Sequence, residues 1–193
     1  MTKFVLLGGY AHKAPDEGKA FYQELVKGIK KPIKVLMCYF ARERADWDRK
    51  FKEDVAVFSS HLPTIKIDFV LASSEEFLQQ IADTDIIYIK GGEMEPLFSA
   101  LKQIPRWETA LCGKVVAGTS AGAYLLSSYY YDMHDEKIHE GVGLVPIKSI
   151  VHFESDYYGD TNWQNALENV KAFRPELETV ALREGEFRVF IEN

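Results

Sequence analysis

Five short apolar runs, spaced so that helical stretches fit between them, set the narrowest limit on what this chain can fold into. They are FVLLGG near the start, IKVLMCYF after Pro32, the alternating stretch Ile65 to Leu71, DIIYIKGG, and KVVA within LCGKVVAGTSAGAYLLSS. Each is too short for a helix and is bounded by turn residues, which suits a buried strand. Between them, Asp16 to Ile29 places Ala20, Phe21, Leu25, Val26 and Ile29 at roughly helical spacing. Asp46 to Ser60 repeats Trp47, Phe51, Val55 and Phe58 every three or four residues, the mark of an amphipathic helix. Ser73-Ser74-Glu75-Glu76 reads as an N-cap and first turn for FLQQIADT, and a further helix is predicted from about Pro96 to Gln103. Strands alternating with helices predict an α/β fold, a mostly parallel sheet with helices on both faces.

Beyond Ser128 the alternation breaks down. Tyr129 to Ser155 is mixed, with turn signals at Gly141, Gly143 and Pro146 and a strand-like KSIVHF. A helix is predicted from about Thr161 to Phe173, then a strand or hairpin in VALREGEFRVFIEN. No repeat or linker interrupts the 193 residues, so residues 1–193 are expected to form a single domain. A hydrophobic share of 47% suits an ordinary globular core. The net charge of −6, without clustered basic residues, argues against nucleic acid as a partner. No stretch approaches the roughly 20 apolar residues that span a bilayer, and no signal-like run opens the chain. No membrane association and a cytoplasmic location are therefore expected. Cys38 and Cys112 lie in or beside apolar runs and read as buried free thiols.

The chemistry concentrates in Gly118-Thr119-Ser120-Ala121-Gly122, a G-x-S-x-G between an apolar strand and an apolar helix. A serine on such a sharp turn projects its hydroxyl from the sheet edge, above a helix N-terminus whose free N–H groups favour a developing oxyanion. The amide of Ala121 is the natural first donor. A seryl nucleophile needs a base, and the base an orienting acid. His61 reads as a solvated loop residue, and His134 and His139 lie in the charged segment YDMHDEKIHE. His12 follows the first strand, and His152 ends an apolar one. Asp132, Asp135, Glu136, Glu154 and Asp156 are all candidate acids, and the residues alone do not rank them. No metal site is predicted, because His134 and His139 lack the i, i+4 helical spacing of a zinc motif. Neither Gly8-Gly9 nor Gly91-Gly92 forms a phosphate loop, and no cofactor is expected.

GTSAGA, preceded by DIIYIKGGEMEPLFSAL and followed by YDM and VHF, resembles the peptidase E (aspartyl dipeptidase) family, which includes cyanophycinases. The resemblance runs from FVLLGG to about Glu184. It implies a three-layer α/β/α, glutamine-amidotransferase-like fold with Ser120 as nucleophile. It carries the catalytic histidine to His152, through Gly141-Val142-Gly143-Leu144-Val145-Pro146 and Val151-His152-Phe153, and the aspartate to Asp132 in Tyr131-Asp132-Met133. It puts the second oxyanion amide in Lys90-Gly91-Gly92-Glu93, Gly91 first and Gly92 second. Substrate-binding positions fall at Glu93, Tyr131 and Asn162. The family's arginines after G-E-T have no counterpart in the stretch from Gly159 to Asn165, so a specificity other than aspartyl dipeptides is expected.

These readings together predict a serine-type peptidase acting on short peptides, as a dipeptidase or exopeptidase, from a monomer or homodimer. An esterase of the α/β-hydrolase fold fits poorly. Only about 30 residues separate Ser120 from His152, too few for the βα units which that fold places between them. The alternative is a binding or sensing module that retains the elbow and lacks turnover.

Overall fold

The structure is a computed structural model that describes residues 1–30, 32–159 and 161–192; Asp160, inside the stretch from Gly159 to Asn165, lies outside them. The apolar runs form β1 (Thr2–Leu7), β2 (Ile33–Cys38), β3 (Ile67–Leu71), β4 (Ile86–Ile89) and β5 (Val115–Thr119). Between them run α1 (Lys19–Val26), α2 (Trp47–His61), α3 (Phe77–Ala82), α4 (Met94–Lys102) and α5 (Trp107–Ala110). The six-stranded sheet has the order β10-β1-β5-β4-β2-β3, and β1 to β5 pair in parallel wherever they touch. The edge strand β10 (Phe187–Glu192) runs antiparallel to β1.

Period two along each strand explains why both faces are covered. In β1, Phe4 and Leu6 join Leu36, Cys38, Ile87, Ile89 and Val116 in one core, which α3 to α5 cover with Phe77, Ile81, Leu97, Leu101 and Trp107. Val5 and Leu7 join Val35, Met37, Ile86, Tyr88 and Ala117 in the other, under Phe21, Leu25 and Val26 of α1 and Phe58 of α2. Side chains pointing to both faces of a parallel strand must be apolar, which is why these runs are continuous rather than alternating. Cys38 is buried as expected, its thiol pushed up to about 12 by burial. Cys112 is exposed, a correction: it sits in the turn between α5 and β5, beyond the apolar positions of either.

The second half of the chain builds a further sheet. Helix α6 (Ala121–Leu126) ends early, and Ser127 turns into the extended strand β6 (Ser127–Asp132). Tyr129, Tyr130 and Tyr131, read from sequence as packing at a helix end, are therefore strand residues, as aromatic side chains on a half-buried pleat favour. β6 pairs antiparallel with β7 (Lys137–Glu140) and parallel with β8 (Val145–Ile150), which pairs in parallel with β9 (Glu178–Ala181). Helix α7 (Trp163–Ala172) packs Ala166 and Val170 against Tyr131, Met133 and Ile150. The terminal segment is not a hairpin: β9 and β10 belong to different sheets, and the chain crosses between them at Arg183-Glu184-Gly185-Glu186. No helix among the described residues is long and apolar enough to cross a membrane.

Candidate active site

β5 lies between β1 and β4, so the turn after it opens where three parallel strands end together. Leu7 pairs with Thr119 and Ile89 with Gly118. This is the sheet edge at which open α/β folds gather their ligand groups. Ser120 takes φ 51°, ψ −114°, a strained conformation for a non-glycine residue. The strain is held from both sides. Its N–H donates to the Leu7 carbonyl at 3.0 Å, and its carbonyl accepts from Ala123 and Tyr124 at 2.8 and 3.1 Å. A side chain at Gly118 would run into the Gly122 carbonyl, so the tight turn requires glycine there.

His152 arrives from the second sheet. Its N–H donates to the Gly8 carbonyl at 2.8 Å, which pins the end of the β8 segment to the end of β1. The ring then spans two partners, with Nε2 3.0 Å from Ser120 Oγ and Nδ1 3.3 Å from Glu184 Oε1. Burial lowers the imidazole below its ordinary value, and Lys13 adds to this, while the hydrogen bond and charge of Glu184 oppose it. Glu184 is itself half-buried, which pushes its carboxyl up. Hydrogen bonds from Lys13, Ser155 and His152 outweigh this and hold it below the usual carboxylate range. Ser155 Oγ donates to Oε1 at 2.7 Å, and the Lys13 ammonium pairs with Oε2.

Glu184 thus occupies the position that the sequence reading gave to Asp132. The Asp132 carboxylate closes the turn after β6, accepting the His134 N–H at 2.8 Å, and no hydrogen bond among the described residues joins it to His152. The physical reason is where each chain goes past its strand: β6, though parallel to β8, turns Asp132 into the β7 hairpin, whereas β9 on the other side of β8 continues to Glu184 beside His152.

The oxyanion amides also need a correction. The Gly91 N–H donates to Thr119 Oγ1 at 3.0 Å and is engaged within the chain. The Gly92 and Ala121 amides have no acceptor among the described hydrogen bonds, and Ala121 opens α6, where the first N–H groups of a helix are free. Gly92 and Ala121 are therefore the donors open to a ligand.

A cleft of about 780 Å³ opens over Ser120 and His152, walled by Tyr10, His12, Arg42, Glu93, Tyr157 and Tyr158 among others. The Tyr10 ring lies 5.5 Å from that of His152, and Tyr158 6.2 Å from it. Lys90 and the buried Asp54 pair at 2.7 Å on the floor, where Tyr39 also donates to Asp54 at 2.9 Å. Of the predicted substrate-binding positions, Glu93 lines this cleft. Tyr131 does not: its ring is buried against Met133, Ile150 and α7. Asn162 does not either, since its side chain caps α7 by accepting the Asn165 N–H at 3.0 Å. His61, read as a solvated loop residue, is the last residue of α2, stacks on Tyr22 at 4.8 Å and lines the cleft. The ligand atoms of Asp132, Asp135 and His139 lie within 4.8 Å of one another, but His139 Nε2 is already bonded to the Asp135 carboxylate at 3.0 Å. Nothing else in that group points to a metal.

Sequence reading missed Glu184 because Arg183-Glu184-Gly185-Glu186 looks like the turn of a terminal hairpin. The usable signal was KSIVHF and ETVAL read as parallel neighbours, since residues just past their ends must then meet.

The chain matches Peptidase family S51 over residues 5–193. A crystal structure of a peptidase from an acI-B1 Actinobacterium superposes with a TM-score of 0.63 at 20% identity, covering 98% of this chain and 83% of the other. That of a candidate peptidase E protein from Listeria monocytogenes EGD-e gives 0.64 at 16% identity, covering 100% and 98%. At these identities the likeness establishes the fold. A search of curated proteins finds no match. The family match spans the sheet, the elbow and the crossover alike, and the chain belongs to peptidase family S51, which makes it a serine peptidase.

Proposed function

We propose that the chain hydrolyses short peptides by acyl transfer through Ser120, His152 and Glu184. The observation that carries this is the continuous line from Glu184 Oε1 through the imidazole to Ser120 Oγ, at 3.3 and 3.0 Å. A carboxylate only accepts, so Glu184 selects the tautomer with the proton on Nδ1 and turns the Nε2 lone pair towards the serine. Ser120 Oγ attacks the scissile carbonyl while Nε2 takes its proton. The Ala121 and Gly92 amides hold the oxyanion. When the C–N bond breaks, Nε2 returns the proton to the leaving amine. A water, deprotonated by the same nitrogen, cleaves the acyl ester and restores Ser120. A cleft of about 780 Å³ fits a short peptide better than a folded protein.

The test is a dipeptide and tripeptide panel, free and blocked at each end, with mass spectrometry of the protein after treatment with a fluorophosphonate. Turnover, together with one phosphonyl adduct on Ser120, is expected. A folded protein that neither cleaves any member nor labels at Ser120 would defeat the proposal.

The profile of kcat/KM against pH is expected to fall on its acid side below about 6.5, the ordinary imidazole value. Burial lowers the His152 pKa, so the basic form persists to lower pH; Lys13 contributes in the same direction. Lys13→Met should therefore move this limb to higher pH. A limb that stays in place would show that Lys13 does not act on the imidazole.

Gly9 has φ 137° and backs onto the imidazole, where an added Cβ would overlap Cε1. Gly9→Ala is expected to lower kcat by about 100-fold, because displacing a catalytic base by about 1 Å costs that much. Wild-type kcat in this variant would show that the ring can move without loss.

A further inference from the structure

Among the described residues, one lysine or arginine of the cleft lacks an anionic partner. Of the lysines and arginines that line it, Lys50 pairs with Glu53 at 2.8 Å and Lys90 with Asp54 at 2.7 Å. Arg42 has no carboxylate at ion-pair distance among the described residues, although Glu93 and Glu17 stand on the same walls. Its placement is nonetheless fixed. Arg42 Nε donates to the Gly91 carbonyl at 2.5 Å, so the guanidinium lies along the Gly91-Gly92 backbone. Its own backbone is held by a turn, N–H to the Tyr39 carbonyl at 2.8 Å, and its carbonyl accepts the indole N–H of Trp47 at 2.9 Å.

A guanidinium carries five N–H groups in a planar fork. With Nε engaged, the four on the terminal nitrogens remain, in the geometry that receives a carboxylate through two parallel bonds. We propose that Arg42 is the specificity-determining residue of the cleft, binding a carboxylate of the peptide substrate. This rests on the peptidase reading above. Glu93 and Glu17 reinforce the assignment, since their own charge repels a carboxylate from their parts of the walls and leaves Arg42 to receive it. Because Arg42 bonds to the Gly91 carbonyl, and Gly91 itself backs onto Ser120, the bound carboxylate lies close to the scissile carbonyl. That position suits either the C-terminal carboxylate of a dipeptide or an acidic side chain flanking the cleaved bond.

The test is protection of Ser120 from fluorophosphonate labelling, each protein being scaled to its own unprotected rate. The ligands are Ala-Leu, its C-terminal amide Ala-Leu-NH2, and Asp-Leu-NH2. In wild type, Ala-Leu should protect at least 10-fold better than Ala-Leu-NH2 if the C-terminal carboxylate is the one bound. Asp-Leu-NH2 should do so if it is the side chain. In Arg42→Gln the favoured ligand should weaken by about 10- to 100-fold, the scale of a lost charge-assisted pair, and Arg42→Lys should fall between. Equal protection by all three ligands, no protection by any, or unchanged protection in Arg42→Gln would each overturn the assignment. Failure of Ser120 to label in wild type is a separate outcome, and would remove the peptidase reading together with the inference.

Discussion

Ser120→Ala is expected to lower kcat by about 10⁶-fold on any peptide that the wild type cleaves, which is the scale of losing a nucleophile that works as one unit with its base. His152→Ala should cost about the same, and the double variant no more than either alone. Without the hydroxyl, the proton that Nε2 would accept is absent; without the base, the hydroxyl stays protonated and weakly nucleophilic. The residual rate should still exceed uncatalysed hydrolysis by about 10³-fold, because the Ala121 and Gly92 amides and the cleft remain. Single-turnover kinetics on the three variants decides it. Additive losses would mean that Ser120 and His152 act in separate steps, against the 3.0 Å contact between them.

Glu184→Gln should reduce kcat by about 10⁴-fold with little change in the folded structure. The amide of glutamine can donate to Nδ1, which moves the imidazole proton to Nε2 and presents an N–H to Ser120 where a lone pair is needed. The carboxylate also opposes the lowering of the His152 pKa by burial, so its removal should shift the acid limb further down, opposite to Lys13→Met. Asp132→Asn is the matched control. Asparagine can still accept the His134 N–H in the same turn, and kcat should stay within about 2-fold of wild type. If Asp132→Asn were the damaging substitution and Glu184→Gln the silent one, the imidazole would be oriented from β6, and the crossover would have no catalytic part.

The elbow was legible because everything that defines it is local. Gly118, Ser120 and Gly122 fall at fixed spacing between a strand and a helix, and the apolar runs announce both. His152 was less so. Five histidines were available, and the resemblance selected the one that the fold then brought to Ser120. The acid went astray for a reason of topology. The residues alone did not rank the candidate acids, and it was the resemblance, through Tyr131-Asp132-Met133, that put the aspartate at Asp132. Glu184 is 32 residues beyond His152 and becomes its neighbour through the parallel pairing of Ile150 with Ala181. The oxyanion loop shows the same limit on a smaller scale. The sequence offers both Gly91 and Gly92, and which amide is open depends on where the Thr119 hydroxyl points.

What the sequence alone determined is the parallel α/β layer and the strained serine at its edge, since apolar periodicity and glycine spacing act over a few residues. Only the tertiary structure decided that the last strands part into two sheets, that Glu184 in the crossover meets His152, and that Arg42 lines the cleft with no counter-charge among the described residues. Those contacts join residues far apart in the chain. They depend on which strands pair and in which direction, and short-range patterns carry no record of that choice.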